Sequence, residues 1–142
     1  MEMSAEQLGA SNVAIGACGV ALATLAVVAA HQVGVVDHLP DPPGAVFASD
    51  ELTESKAAHP LGIPDGLLGL MSFGVTMALL VAARKSALAR GVLRVKLGVD
   101  ASVASANVVR QVVSFGKVCS WCTGTAVATG VMVRYGRKSL ED

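Results

Sequence analysis

The feature that most constrains this chain is a long segment without formal charge near its N-terminus. From Gln7 to Val36 there is no Asp, Glu, Lys or Arg. This run is longer than the roughly 20 apolar residues that a helix needs to cross the hydrocarbon core of a bilayer. Glu2 and Glu6 precede it, where a signal peptide would carry Lys or Arg. The run therefore predicts a membrane-spanning helix over about residues 11–31.

The composition points to the same class of protein. Of the 142 residues, 53% are hydrophobic and 15% are charged, whereas soluble domains carry about 25% charged residues. This balance excludes an intrinsically disordered chain. The formal net charge is +0, and no basic stripe with interleaved aromatic residues occurs, which argues against nucleic-acid binding. We expect a single all-α domain over residues 1–142, an integral membrane protein embedded in lipid.

Three further segments complete a predicted four-helix bundle. Uncharged runs at 66–83 and 118–133 predict helices over about 62–83 and 118–136. The segment 92–115 contains no Pro, and it predicts a third helix although it carries four charged residues. An outer loop over 32–60 joins the first two helices.

Polar residues of the predicted third helix share one face. Asp100, Asn107, Gln111 and Ser114 follow a spacing of i, i+7, i+11 and i+14. Two interpretations stay open for this stripe. It packs inward on neighbouring helices or lies at the membrane interface, or it forms a polar lining for a ligand or partner.

The distribution of basic residues predicts the membrane topology. In the four-helix arrangement, eight of the eleven Lys and Arg residues lie on one side: Arg84, Lys85, Arg90, Arg94, Lys96, Arg134, Arg137 and Lys138. Cytoplasmic segments carry the excess of Lys and Arg. We therefore expect a multi-pass protein of the cell (inner) membrane with both termini in the cytoplasm and the 32–60 loop outside.

Cysteines carry the chemical signal. Cys119 and Cys122 form a C-x-x-C at the start of the last predicted helix, on the outer, oxidising side of the membrane. A helix N-terminus stabilises a thiolate and favours thiol exchange. Zinc needs four ligands, and neither a second pair nor a His cluster occurs, so no metal site is predicted. A redox pair, a structural disulfide and an inert pair stay open, and Cys18 is expected to be a packed core residue.

Two segments resemble the vitamin K epoxide reductase family. Residues 114–126, SFGKVCSWCTGTA, are similar to the C-x-x-C segment that opens that family's last helix. Residues 61–70, LGIPDGLLGL, look like the family's G-I-P segment at the start of the second helix. The order of the two motifs and the four-helix plan agree as well.

The resemblance implies a four-helix bundle around a quinone pocket under the outer surface. In that family the C-x-x-C passes two electrons between thiols and a quinone, here ubiquinone or menaquinone. By position, Cys122 would face the quinone and Cys119 would exchange with the thiol donor, a thioredoxin-like protein. The implied activity is a membrane thiol–quinone oxidoreductase that supports disulfide formation.

The same resemblance suggests the residues that contact the quinone. Gly62, Ile63 and Pro64 would shape the loop beside the pocket. Trp121 would stack on the quinone or anchor the helix at the interface. Thr123 would offer a hydroxyl to the pocket or hydrogen-bond back to its own helix.

The chain departs from the family pattern in its outer loop. Family members usually carry a second cysteine pair there, which relays electrons to the C-x-x-C, but 32–60 contains no cysteine. Ser49 stands near the expected position of one of them. Either Cys119 exchanges directly with an external dithiol, or the scaffold has been reused.

Two other functions compete with the oxidoreductase. The first is a non-catalytic membrane subunit that uses this scaffold in a larger respiratory or photosynthetic complex, with other membrane subunits as partners. The second is a small multidrug exporter. The predicted first helix carries no acidic residue, which argues against the exporter because proton coupling requires an ionisable group in the membrane.

Overall fold

The computed structural model describes residues 2–142, which form an all-α fold. Within this range the structure has no β-strand and a single isolated parallel bridge, between Phe47 and Val118. Its five α-helices are α1 (Ala5–Gln32), α2 (Ser49–Glu54), α3 (Asp65–Ala82), α4 (Ala87–Arg110) and α5 (Ser120–Lys138). Two short 3-10 turns, Lys56–Ala58 and Pro60–Gly62, lead into α3, and a π-helical turn, Gln111–Phe115, extends α4. The predicted all-α class is confirmed.

All four long helices differ from their expected bounds, most at the starts of α1 and α4. α1 begins at Ala5, six residues before the expected start. The helix expected at 92–115 begins at Ala87, where the Ser86 hydroxyl accepts a hydrogen bond from the Ala89 N–H and caps the first turn. The Arg90 side chain folds back and its Nε donates to the Ala83 carbonyl, 2.9 Å away. The outer loop also contains the short helix α2, which has no apolar run to mark it.

The four long helices pack in a ring. α1 contacts α3 and α5, and α4 contacts the same two helices from the opposite side. Small side chains of α1, including Ala14, Cys18 and Ala21, are completely buried and let the neighbouring helices approach. The Cys18 Sγ lies 3.5 Å from the Phe73 carbonyl oxygen, so Cys18 is a packed core residue in the structure.

The outward faces of these helices are apolar. By length and composition, α1 and α3 are each long and apolar enough to cross a membrane. Exposed large apolar side chains occur on all four long helices, among them Val20, Met71, Val75, Val95, Val103 and Val127. Such extended apolar exposure is uncommon in soluble monomers and is what contact with lipid requires.

A glycine allows the outer ends of α1 and α3 to meet. A Cβ atom at Gly66 would lie 2.9 Å from the Ala29 backbone nitrogen and 3.1 Å from the Ala29 Cα. The Gly66 N–H donates to the Gln32 side-chain oxygen at 3.0 Å. Gly74 lies on the same helix, but a Cβ there would meet no atom within 4 Å. Both glycines are on α3, but only Gly66 is in close contact with a neighbouring helix.

We expect Gly66→Ala to lower the free energy of unfolding by about 1–3 kcal/mol, because the added methyl group must push two backbones apart. Gly74→Ala is the matched control, and it should stabilise the protein by up to about 1 kcal/mol through helix propensity alone. Thermal unfolding of the purified variants measures both effects. Equal stability of the two variants would contradict the close approach at Gly66.

Candidate functional site

The C-x-x-C occupies the first turn of α5. Cys119 is the N-cap residue, and its Sγ accepts a hydrogen bond from the Cys122 backbone N–H at 3.1 Å. Cys119 is completely buried, whereas Cys122 is partly exposed. All three cysteines are free thiols in the structure. The two sulfurs thus share one helical turn but differ in access.

Side chains from distant segments cap the start of α5. The first N–H groups of a helix have no partner within the helix. The Gln111 Oε1 accepts from the Cys119 N–H at 3.0 Å, and the Ser49 Oγ accepts from the Ser120 N–H at 3.0 Å. The end of α4 and the outer loop therefore both fix the position of the C-x-x-C.

The outer loop covers Cys119 through a hydrogen-bonded cluster around Asp41. The Asp41 carboxylate accepts from the Ser49 backbone N–H at 2.9 Å and from the hydroxyls of Ser49 and Ser120. The Trp121 indole N–H donates to the Pro40 carbonyl at 2.9 Å. Residues 46–48 also pair with the backbone of Val118. We call Asp41, Ser49 and Ser120 the loop-docking cluster.

Two loop carboxylates are held in their ionised forms. Burial opposes ionisation of Asp41, but hydrogen bonds from Ser120 and Ser49 outweigh it and lower the pKa of the carboxyl below its usual value. Burial likewise opposes ionisation of Asp50, while the Leu39 N–H and the His38 side chain lower its pKa on balance. Both anions organise the loop that lies over the cysteines.

Gln32 ties the base of the loop to the helices. Its Nε2 donates to the Thr53 carbonyl at 3.0 Å and to the Asp65 Oδ1 at 2.9 Å. Its Oε1 accepts from the Gly66 N–H. The ends of α1 and α2 and the start of α3 are thereby joined at one side chain.

A cavity of about 350 Å³ lies between the four long helices, and Cys122 is part of its wall. Pockets for small ligands commonly enclose about 300–1,000 Å³, with a mostly apolar lining and a few polar groups. Here the polar groups in the wall include Asp65, Ser72 and Thr125. The apolar lining includes Leu25, Val28, Leu68, Phe73, Val99 and Val103.

The polar stripe of α4 reaches this cavity. Asp100, Asn107 and Gln111 are in its wall, and Asp100 and Gln111 are also buried against neighbouring segments, so the stripe faces inward. Ser114 is exposed instead. It lies in the π-helical turn, whose wider winding breaks the 3.6-residue periodicity and moves Ser114 off the shared face.

The G-I-P segment lies beside the cavity. Gly62, Ile63 and Pro64 are not in its wall, but Pro60 and Asp65, on either side of them, are. Gly62 and Ile63 are exposed to the outside. The segment thus positions the start of α3 while its flanking residues contact the interior space.

Trp121 and Thr123 also lie outside the cavity wall. The Trp121 indole contacts the loop carbonyl of Pro40. The Thr123 hydroxyl donates to the Cys119 carbonyl at 2.8 Å, so it bonds back to its own helix. Neither side chain is presented to the space that Cys122 borders.

Sequence reasoning missed Asp41 and Ser72. Asp41 precedes two prolines in a segment that offers no periodicity. Ser72 is one of two hydroxyl residues inside an otherwise apolar helix, where serine often bonds only to its own backbone. Their roles depend on side chains that are distant along the chain, which no local pattern reveals.

Comparison with protein families gives one clear result. Residues 12–135, nearly the whole chain, match the model of the vitamin K epoxide reductase family. Neither the curated proteins nor the solved structures yielded a match. The matched range includes the helices that form the cavity, the covering loop and the C-x-x-C, and the chain therefore belongs to the vitamin K epoxide reductase family.

Proposed function

We propose that this protein is a membrane thiol–quinone oxidoreductase in which Cys119 and Cys122 carry the electrons. The observation that supports this most directly is the position of Cys122, a thiol in the wall of an apolar cavity between the helices. Family membership supports redox chemistry in a membrane with quinones in general. The size and lining of the cavity suit a flat, mostly apolar ring with hydrogen-bonding oxygens.

The proposed reaction balances in electrons and protons. When the Cys119 and Cys122 thiols form a disulfide, they release two electrons and two protons. The quinone takes up the two electrons and the two protons and leaves as the quinol. An outside dithiol then attacks the disulfide at Cys119 through a mixed disulfide, which restores the two thiols and leaves the outside partner oxidised. The net result is disulfide formation in that partner.

The assignment of the two cysteines follows their surroundings. Cys122 borders the cavity, so it is the proposed contact with the quinone. Cys119 lies under the outer loop, next to the loop-docking cluster, and is the proposed contact with the thiol partner. Because Cys119 is completely buried, this exchange requires displacement of the loop. A thioredoxin-like protein would have to bind where the loop now lies.

We propose that residues 1–142 form a four-helix bundle in the inner membrane. Both termini and the turn between α3 and α4 then lie on the cytoplasmic side. The apolar outward faces of the long helices support the bilayer placement. The clustering of Lys and Arg at one end supports the orientation. The outer loop and the C-x-x-C then lie together on the oxidising side.

A second function, a non-catalytic subunit of a larger membrane complex, is favoured by a different observation. Cys119 is completely buried beneath a loop that contains no cysteine. In such a protein the cavity would serve packing or hold a bound quinone without turnover. Measured electron transfer distinguishes the two functions.

We expect the purified protein to reduce a soluble quinone analogue with dithiothreitol as the electron donor. Cys122→Ser should abolish this activity, because the residue at the cavity would no longer carry a thiol. Cys18→Ala is the control and should keep the activity, since Cys18 lies in the core away from the C-x-x-C. Quinone reduction is followed by absorbance. A folded wild-type protein without activity would favour the non-catalytic subunit.

Topology can be tested with single cysteines in a variant whose three native cysteines are replaced. Asp37→Cys and Lys85→Cys place exposed thiols on the outer loop and on the opposite turn. In intact cells a membrane-impermeant maleimide should label Cys at position 37 only, and lysis should be needed to label position 85. The reverse pattern would overturn the proposed orientation and its oxidising compartment.

Displacing the loop should expose Cys119. Asp41→Asn removes the charge that holds the loop-docking cluster, and hydrogen bonds to charged groups contribute about 1.5–3 kcal/mol. In a background of Cys18→Ala and Cys122→Ser, we expect alkylation of Cys119 at pH 7 to become about tenfold faster. Asp37→Asn, at an exposed site, is the matched control and should leave the rate unchanged. Equal rates for both variants would show that Asp41 does not control access.

A further inference from the structure

A charged cluster lies between α3 and α4 on the far side of the cavity from the outer loop. The Lys96 ammonium donates to the Ser72 Oγ at 2.9 Å, to the Thr76 Oγ1 at 2.8 Å and to the Asp100 carboxylate. The Thr76 hydroxyl donates to the Asp100 Oδ2 at 2.7 Å. Asp100 is 3% exposed and Thr76 is completely buried. We call these four residues the inner cluster.

The proposed topology places the inner cluster within the membrane, where burying charged side chains costs free energy. Ionisable residues within a membrane-spanning helix are rare, and they usually mark a functional site. The topology prediction counts Lys96 among the basic residues on the cytoplasmic side, but the structure turns its side chain inward, and 18% of it is exposed. A purely structural contact between α3 and α4 could be made by apolar side chains. The charges therefore call for an explanation beyond packing.

The Ser72 hydroxyl is a hydrogen-bond donor without an acceptor in the described residues. An ammonium group has three donors and no acceptor, so Ser72 must be the acceptor in its bond with Lys96. The Ser72 hydroxyl proton then needs an acceptor of its own. Among residues 2–142, the structure gives the Ser72 hydroxyl no acceptor. The Thr76 proton, in contrast, is engaged with Asp100.

This free donor faces the cavity. Ser72 and Asp100 are in the cavity wall, whereas Lys96 and Thr76 are not. Along α3, Ser72 lies seven residues beyond Asp65, which at about 1.5 Å per residue places it roughly 10 Å deeper. Cys122 and Asp65 thus border the outer part of the same space, and Ser72 borders its inner part.

We propose that Ser72 donates a hydrogen bond to a ring oxygen of the quinone and that Lys96 and Asp100 are positioning residues for this donor. The proposal rests on the proposed function, because it requires a quinone in the cavity. A quinone oxygen only accepts hydrogen bonds, and it gains negative charge as electrons arrive. A hydroxyl polarised by an ammonium behind it stabilises that charge. Asp100 neutralises the charge of the Lys96 ammonium as long as the quinone carries no negative charge.

The hydrogen bond can be measured on the quinone itself. With menadione as the probe, infrared difference spectra of the bound quinone should show one carbonyl band lowered in frequency in the wild type. In Ser72→Ala that band should return toward the frequency of the free quinone. Ser102→Ala is the matched control, because Ser102 is exposed on α4 and bonds only to the Gly98 carbonyl. It should leave the band in place.

Affinity provides a second readout. Trp121, the single tryptophan of the chain, lies on the same turn as Cys122, so quinone binding can be followed by quenching of its fluorescence. Ser72→Ala should raise the Kd for menadione about fivefold, the effect of one hydrogen bond of about 1 kcal/mol. Ser72→Thr keeps the hydroxyl and should restore most of the affinity.

A double variant tests the positioning pair. Lys96→Met with Asp100→Asn removes both charges together, so that neither is left buried alone. Ser72 stays in place, and the carbonyl band should lie between the wild-type and Ser72→Ala positions. A band at the wild-type frequency would remove Lys96 and Asp100 from the proposal.

The outcomes separate this proposal from the function on which it rests. If Ser72→Ala binds menadione with the wild-type affinity and band position while Cys122→Ser still abolishes turnover, the Ser72 proposal is overturned and the oxidoreductase stands. If the wild type neither binds menadione nor reduces it with dithiothreitol, both are overturned. A shifted band in Ser72→Ala alone supports the proposal.

Discussion

The first N–H groups of α5 need hydrogen-bond partners from outside the helical ladder, and the outer half of the molecule depends on this constraint. A helix cannot satisfy its own first N–H groups, and in an apolar environment each unpaired group costs several kcal/mol. Here Gln111 caps Cys119, Ser49 caps Ser120, and the Cys119 sulfur caps Cys122. Because two of these partners come from other segments and the third belongs to the N-cap of α5 itself, capping one helix also fixes the end of α4, the outer loop and the C-x-x-C relative to one another.

The same constraint gives the two cysteines different surroundings. Ser49 can cap α5 only if the loop lies over the first turn, and this places Cys119 under the loop. Cys122 comes one turn later, where the helix turns its side chain toward the space between the four long helices. A single helical turn thus separates a thiol on the loop side from one on the cavity side. This separation is what a pair of cysteines needs to exchange electrons with two different partners.

Much of this arrangement follows from sequence, for reasons specific to each element. α1 and α3 are visible because their uncharged runs are long, and the stripe of Asp100, Asn107 and Gln111 is visible because helical periodicity is local. The structure of the outer loop cannot be predicted in this way, because the contacts of Asp41 with Ser49 and Ser120 join residues that no sequence pattern relates. Likewise, the inward turn of Lys96 depends on acceptors supplied by α3.

If the protein has the proposed function, the absence of cysteine from residues 32–60 has a physical consequence for the entry of electrons. A disulfide between loop and helix would hold the loop covalently and would itself be part of the exchange. Here the loop is held on α5 by hydrogen bonds that Ser120 donates, from its backbone N–H to Ser49 and from its hydroxyl to Asp41, and each contributes only a few kcal/mol at most. Loop opening is then a thermal equilibrium that an arriving partner can shift by binding the open form. Cys122 borders the cavity and not the loop-docking cluster, so in the proposed reaction access of the thiol donor depends on the loop, whereas contact with the quinone does not.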